Sequence, residues 1–196
     1  MEKNYPRTET ALQRKEVALL LNLMHNWQTA TYDHCMAVAH LAEDMLKYTD
    51  KWTDEEKNEI VVGALVHDVG KMFVPFNLTQ APFRLNYEQY KIIQVHSAVS
   101  YLVVKDVFSD IVENICQYHH EKPNGQGYST GIRLIEIPEE ALFVQIADIY
   151  DALTAKRSYK SRFTKEEAII EMEKEARNFA LDDGYLRILQ KALEEE

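Results

Sequence analysis

An all-α fold is predicted by three features of the chain. Only six glycines and five prolines punctuate 196 residues. No stretch sustains the polar–apolar alternation of a half-buried strand. Three helix starts carry reciprocal capping signals: Thr53 with Glu56, Asn86 with Gln89, and Thr164 with Glu167.

Taken in order, the elements justify themselves. A first helix over 8–24 ends just before His25, which precedes a break. The segment 31–48 places His34, Val38, Leu41 and Met45 on one face. Thr53 opens a helix over 53–69 that carries "EIVVGALVHDVGK", and Gly70 is read as its stop. A helix over 86–106 aligns His96 with Ile92, Ile93, Val99 and Val103. The helix over 109–120 runs into His119 and His120. Pro138 suits the first turn of a helix over 138–157, whose core stripe is Leu142, Ile146, Ile149 and Leu153. Asp148 shares a face there with Val144 and Asp151. Helices over 164–178 and 182–194 complete the chain, and its acidic end "ALEEE" reads as a solvated face. The loops 71–85 and 121–137 are long, and each follows a histidine-bearing helix. With no repeat and no Gly-, Ser- or Pro-rich linker, one domain spanning 1–196 is expected, a bundle of seven to eight helices.

Composition narrows the classes of function. Hydrophobic residues make up 46% and charged residues 28%, which is globular and too apolar for disorder. No apolar run approaches the roughly 18 residues of a membrane span, and "MEKNYPRTET" has no secretory h-region. Cys35 and Cys116 lack CxxC spacing, as expected of buried free thiols in a reducing cytoplasm. The net charge of −10 argues against a nucleic-acid polymer as partner. It leaves room for a small phosphate substrate held by local cations.

"ICQYHHEKPNGQGYST" (115–130) is the stretch that composition does not explain. Adjacent helical residues point about 100° apart, so two histidines in a row cannot both be ordinary core residues. Of seven histidines, His25 and His40 read as ordinary. His34, His67, His96, His119 and His120 lie on or beside apolar stripes, as do Asp68 and Asp148. One inward histidine is usually a hydrogen-bonded core residue. Five with two aspartates would bury many polar groups at a cost of several kcal/mol for each unpaired charge. Metal ions satisfy such a set together, because imidazole and carboxylate are good ligands for Fe, Mn or Zn.

The adjacent His67-Asp68 pair is the signature of the HD phosphohydrolase superfamily, and the chain resembles its HD-GYP branch from about Thr31 to Phe179. An HD dipeptide alone says little. Here five blocks follow in the family's order: His34, "HDVGKMFVP", the helix "NYEQYKIIQVH" ending in His96, "HHEKPNGQGYS" and "ADIYDALTAKRSYK".

The resemblance implies two divalent transition-metal ions, Fe or Mn ahead of Zn, Ni or Co. His34, His67, Asp68 and Asp148 would hold one, and Asp68 would bridge to a second held by His96, His119 and His120. A third ion in some members uses a carboxylate four residues before the first histidine, where this chain has Ala30. Two such cations would lower the pKa of a bridging water, so that hydroxide attacks a phosphodiester in line. Asp68 and Lys71 would be the catalytic residues. Lys71 would touch a phosphate oxygen or assist proton transfer, and Tyr128 would border the substrate. Arg157 and Lys160 of "KRSYK" match positions that hold phosphates, with a solvated basic turn as the alternative. Asp151 would orient its neighbours.

Cyclic di-GMP is the implied substrate, with the linear dinucleotide or GMP as product. Two readings stay open beside it: hydrolysis of another nucleotide, or a metal-retaining module that binds a nucleotide or signalling partner without turnover. The chain departs from the family at Asn124 (Asp in the pattern) and Ser129 (Pro in the pattern). Both lie in the 121–137 loop that would face substrate or a protein partner. A homodimer is compatible with all of this.

Overall fold

The computed structural model describes residues 3–81, 83–128, 130–155 and 163–194. Among these residues the regular elements are all helical. They are α1 (Pro6–Leu12), α2 (Lys15–Trp27), α3 (Thr29–Met45), α4 (Asp54–Val66), α5 (Phe76–Thr79), α6 (Tyr87–Gln94), α7 (His96–Val104), α8 (Asp110–Tyr118), α9 (Glu139–Thr154), α10 (Lys165–Arg177) and α11 (Asp183–Glu194). Short 3-10 turns lie at Leu46–Tyr48, Val69–Phe73 and Leu134–Glu136. Each of the eight segments expected to be helical holds helix among the described residues, and all three capping boxes form with both of their bonds. No described helix is long and apolar enough to cross a membrane.

Helices α3, α4, α8 and α9 form the centre, each packed on two of the others. The reason is compositional. The second half of α4, Ile60 to Val66, is buried on every face, and so is α9 from Ala141 to Asp148. A helix apolar all round must be enclosed by others. Met45, Leu65, Ile115, Phe143 and Ile146 are fully buried here, each contributing about 1.5–3 kcal/mol by leaving water. Helices α1, α2, α10 and α11 pack around this centre, and α7 lies on α8 and on the 3-10 turn after α4.

Three expectations are corrected. The helix expected over 8–24 is broken at Arg14, whose backbone is extended (ψ 124°). The helix expected over 86–106 divides at Val95, where the His96 ring takes the Ile93 carbonyl at 2.7 Å. Ile92 consequently faces solvent and does not share the face of His96.

Gly70 does not stop a helix by adopting a left-handed backbone, since only Gly125 and Gly131 have positive φ among the described glycines. It is glycine because α7 crosses it. A Cβ there would lie 2.1 Å from the His96 carbonyl oxygen and 2.6 Å from the Ser100 nitrogen. The Gly70 amide donates to Ser100 Oγ at 2.8 Å.

Candidate metal centre

The seven donors are placed by the ends or faces of five helices. His34 lies on α3 and Asp148 on α9. His67 and His119 cap the C-termini of α4 and α8, and His96 begins α7. Three rings bond to carbonyls in a last helical turn, and those of Ile93 and Ile115 also accept a backbone N–H. His67 Nδ1 meets the Ala64 carbonyl at 2.8 Å, His96 Nδ1 that of Ile93 at 2.7 Å, and His119 Nδ1 that of Ile115 at 3.0 Å. A carbonyl can only accept, so each Nδ1 carries a proton, and in a neutral ring Nε2 is then the atom with the lone pair.

The Nε2 atoms converge on Asp68, which is 1% exposed. Asp68 Oδ1 faces His96 Nε2 at 3.1 Å and His119 Nε2 at 3.8 Å. Asp68 Oδ2 faces His67 Nε2 at 3.5 Å and His34 Nε2 at 3.7 Å. One carboxylate thus stands between two sets of nitrogens. Asp68, His96, His119 and His120 form one group whose donor atoms lie within 4.8 Å of one another, and His34, His67 and Asp148 form a second. The structure brings all seven expected ligands together.

The donor set fits cations. His96 Nε2 and His119 Nε2 face each other at 3.4 Å, with the Nδ1 of each ring already on a carbonyl, and buried His67 Nε2 has no hydrogen-bond partner. Protons do not relieve this. Burial, with His67 and His96 close by, pushes the His119 pKa down to about 3. Burial and His119 likewise hold His120 well below the usual imidazole range. Neutral imidazoles around a carboxylate are a metal-ligand set.

His34 is different. Its Nε2 lies 2.9 Å from Asp148 Oδ1 and its Nδ1 2.6 Å from Asp151 Oδ2. Burial opposes the charged ring, but these two carboxylates raise its pKa to about 9. Asp151 reaches the nitrogen that points away from the cluster, which is how a carboxylate orients a ligand. Lys71 lies in the 3-10 turn after Asp68, and its ammonium pairs with Asp68 Oδ2. Against burial, which would raise it, Lys71 and the surrounding histidines hold Asp68 ionised well below the carboxylate range.

Tyr128 packs over this centre, its ring 4.6 Å from that of His120 and 6.3 Å from that of His96. Two residues that the sequence did not single out hold its loop. Glu121 is fully buried, and its Oε1 accepts from the Thr130 amide and hydroxyl (2.5 and 2.9 Å) and from the Gly131 amide (2.9 Å). Gln145 on α9 donates to the carbonyls of His119 (2.8 Å) and Glu121. The signal for Glu121 was in the motif, as the acid following two histidines; Gln145 lies in an apolar run with no local sign.

Gly127 crosses the chain so closely that a Cβ would sit 2.4 Å from Glu121 Cα. Asn124 keeps the local bond an Asp would make, since its side-chain oxygen accepts from the Gln126 amide at 3.0 Å.

Arg157, Lys160 and Ser129 lie outside the described residues. His25 is exposed and His40 stacks on Tyr5, both away from the cluster. Cys35 is buried, its sulfur 3.9 Å from His67 Nδ1, a nitrogen already spent on a carbonyl. Burial raises its thiol pKa, so it packs as a neutral side chain.

The HD domain profile matches residues 9–184. The chain is 31% identical to 3'3'-cGAMP-specific phosphodiesterase 1 of Vibrio cholerae, over 96% of this chain and 46% of that protein. It is 31% identical to a cyclic di-GMP phosphodiesterase of Thermotoga maritima, over 81% of this chain and 44% of that protein. The chain thus spans less than half the length of these relatives. Its fold is similar to that of an HDG"Y"P protein from Bdellovibrio bacteriovorus (TM-score 0.70, 21% identity, covering 96% of this chain and 68% of that one). It is also similar to the HD domain of the L. monocytogenes phosphodiesterase PgpH in complex with cyclic di-AMP (TM-score 0.65, 17% identity, 89% and 94% covered).

Proposed function

The chain belongs to the HD-domain family, and from that premise we propose that it is a metal-dependent phosphodiesterase acting on a cyclic dinucleotide, cyclic di-GMP first. The observation that supports this most is Asp68, with one oxygen toward each of two sets of imidazole nitrogens. A carboxylate placed so would let two adjacent cations share one anion, the arrangement of a two-metal hydrolytic site.

When bound, two divalent ions supply acidified water at neutral pH and offset the negative charge that builds on a phosphodiester under attack. The chain's own residues do the rest. His34, His67 and Asp148 would hold one ion, His96, His119 and His120 the other, with Asp68 available to both. Asp151 fixes the His34 ring. In hydrolysis a water oxygen bonds to phosphorus, a phosphorus–oxygen ester bond breaks, and a proton reaches the departing ribose oxygen. Lys71, whose ammonium pairs with Asp68, holds a phosphate oxygen or delivers that proton. Arg157 and Lys160 hold the phosphates, and Tyr128 borders the substrate beside His120.

A second substrate is favoured by the similarity to a relative named for 3'3'-cGAMP. The test is metal analysis and turnover on one anaerobically purified sample, with cyclic di-GMP, 3'3'-cGAMP and a dinucleoside polyphosphate offered in parallel. Two ions per chain and a linear dinucleotide product are expected. Full metal loading with binding but no turnover of any of the three would make the chain a binding module.

A further inference from the structure

Helix α6 buries none of its eight residues. It packs beside the short α5, and the junction at Val95 sets it against the metal centre, because His96 follows at once. A segment with no buried side chain gains little from its own packing, so its position at the mouth of the site needs another reason.

Its aromatic side chains supply one. Tyr87 is 70% exposed and Tyr90 is 46% exposed. The Tyr87 ring is already covered by the Lys91 ammonium, 5.4 Å above it. Tyr90 instead turns toward the centre. Its ring stands nearly perpendicular to that of Tyr128 (83°) with centroids 6.2 Å apart. Tyr128 in turn lies 4.6 Å from His120. Tyr90 is therefore one aromatic layer outward from the cluster, with much of its ring open. A nucleotide whose phosphate sits at the cluster carries its base one sugar's length away, and an open aromatic ring at that range is a stacking platform.

We infer that α6 is the base-binding wall of the substrate cleft and that Tyr90 stacks on a nucleobase of the cyclic dinucleotide. This inference rests on the phosphodiesterase reading above. It makes Tyr90 a residue for recognition of the substrate and gives it no part in the reaction at phosphorus.

The experiment uses the full chain loaded with Mn²⁺ and two ligands that it cannot turn over as diesters, GMP and inorganic phosphate. Wild type should bind GMP more tightly than phosphate. Tyr90→Ala should weaken GMP binding about tenfold or more, the loss of one base–aromatic stack. Phosphate binding and metal content should stay as in wild type. Tyr90→Phe should restore most of the GMP affinity, because it keeps the ring. A wild type that binds phosphate but holds GMP no more tightly overturns the inference and leaves the metal centre standing. Equal weakening of both ligands by Tyr90→Ala overturns it too, by showing that Tyr90 serves Tyr128 or the cluster. A Tyr90→Phe variant as weak as Tyr90→Ala assigns the effect to the hydroxyl and overturns stacking. A wild type that binds neither ligand removes the phosphodiesterase reading, and this inference with it.

Discussion

Asp68 is enclosed by four imidazole nitrogens within 3.8 Å and by the Lys71 ammonium. Replacing it by Asn keeps the shape and removes the charge that two cations would share. Asp68→Asn should lose metal and phosphodiesterase activity together, to below about a tenth of wild type, as measured by elemental analysis after dialysis. Asp151→Asn still leaves an oxygen for His34 Nδ1, so metal affinity should fall only about 10–100-fold. Equal losses in the two variants would reverse their assignment. Glu121 acts differently, through its loop. Its Oε1 alone serves two amides and a hydroxyl. Glu121→Ala should cost about 2–4 kcal/mol, roughly 1 kcal/mol for each of the three hydrogen bonds it removes from the loop. Urea unfolding measures this, and a loss below about 1 kcal/mol would mean that the loop is held elsewhere.

At the scale of elements, the centre depends on how closely helices approach. Gly70 lies under α7, and the atoms a Cβ would strike belong to the backbone of His96 and Ser100. No rotamer change relieves that clash, so α7 must move and carry His96 with it. Gly70→Ala should destabilise by at least about 3 kcal/mol, the upper part of the range for overpacking. It should also lower metal content, although it touches no ligand. Thr53→Ala is the matched control. It removes the exposed cap of α4, the helix that ends at His67, and should cost about 1 kcal/mol with metal content intact. Calorimetry with elemental analysis on both variants gives the comparison; Gly70→Ala with normal metal loading would show that α7 is not held in place by this contact.

For the molecule as a whole, five imidazoles and two aspartates from α3, α4, α7, α8, α9 and the adjoining turns meet at one point. Ions bound there would tie these elements together and stabilise only the folded chain. At free metal a thousand times the dissociation constant, the gain is about 4 kcal/mol. In a domain of this size that corresponds to roughly 8–16 °C in Tm. Stripping the protein with a chelator should lower Tm by that order, and re-addition should restore it with a break at two equivalents. A break at one equivalent would reject a pair of ions sharing Asp68. A Tm that does not respond to chelation would mean that the bundle is complete without metal.

The sequence by itself determined the helical class, because helix periodicity, capping pairs and scarce Gly and Pro are local properties. Thr53–Glu56, Asn86–Gln89 and Thr164–Glu167 each close within four residues and form as written. It also named the seven candidate ligands, since histidines beside apolar stripes need partners wherever the chain goes. Tertiary structure decided what depends on residues distant in the chain. Asp68 lies between His96, 28 positions on, and His34, 34 positions back, and no periodicity encodes which oxygen faces which. At the break at Val95 the His96 ring meets the Ile93 carbonyl, which also accepts a backbone N–H. Gly70 is fixed by α7, a neighbour 26 residues away or more, and Gln145 finds its role only where α9 passes His119 and Glu121. A short-range pattern can specify a helix; the contacts that make a metal centre and its cleft are set by packing between helices.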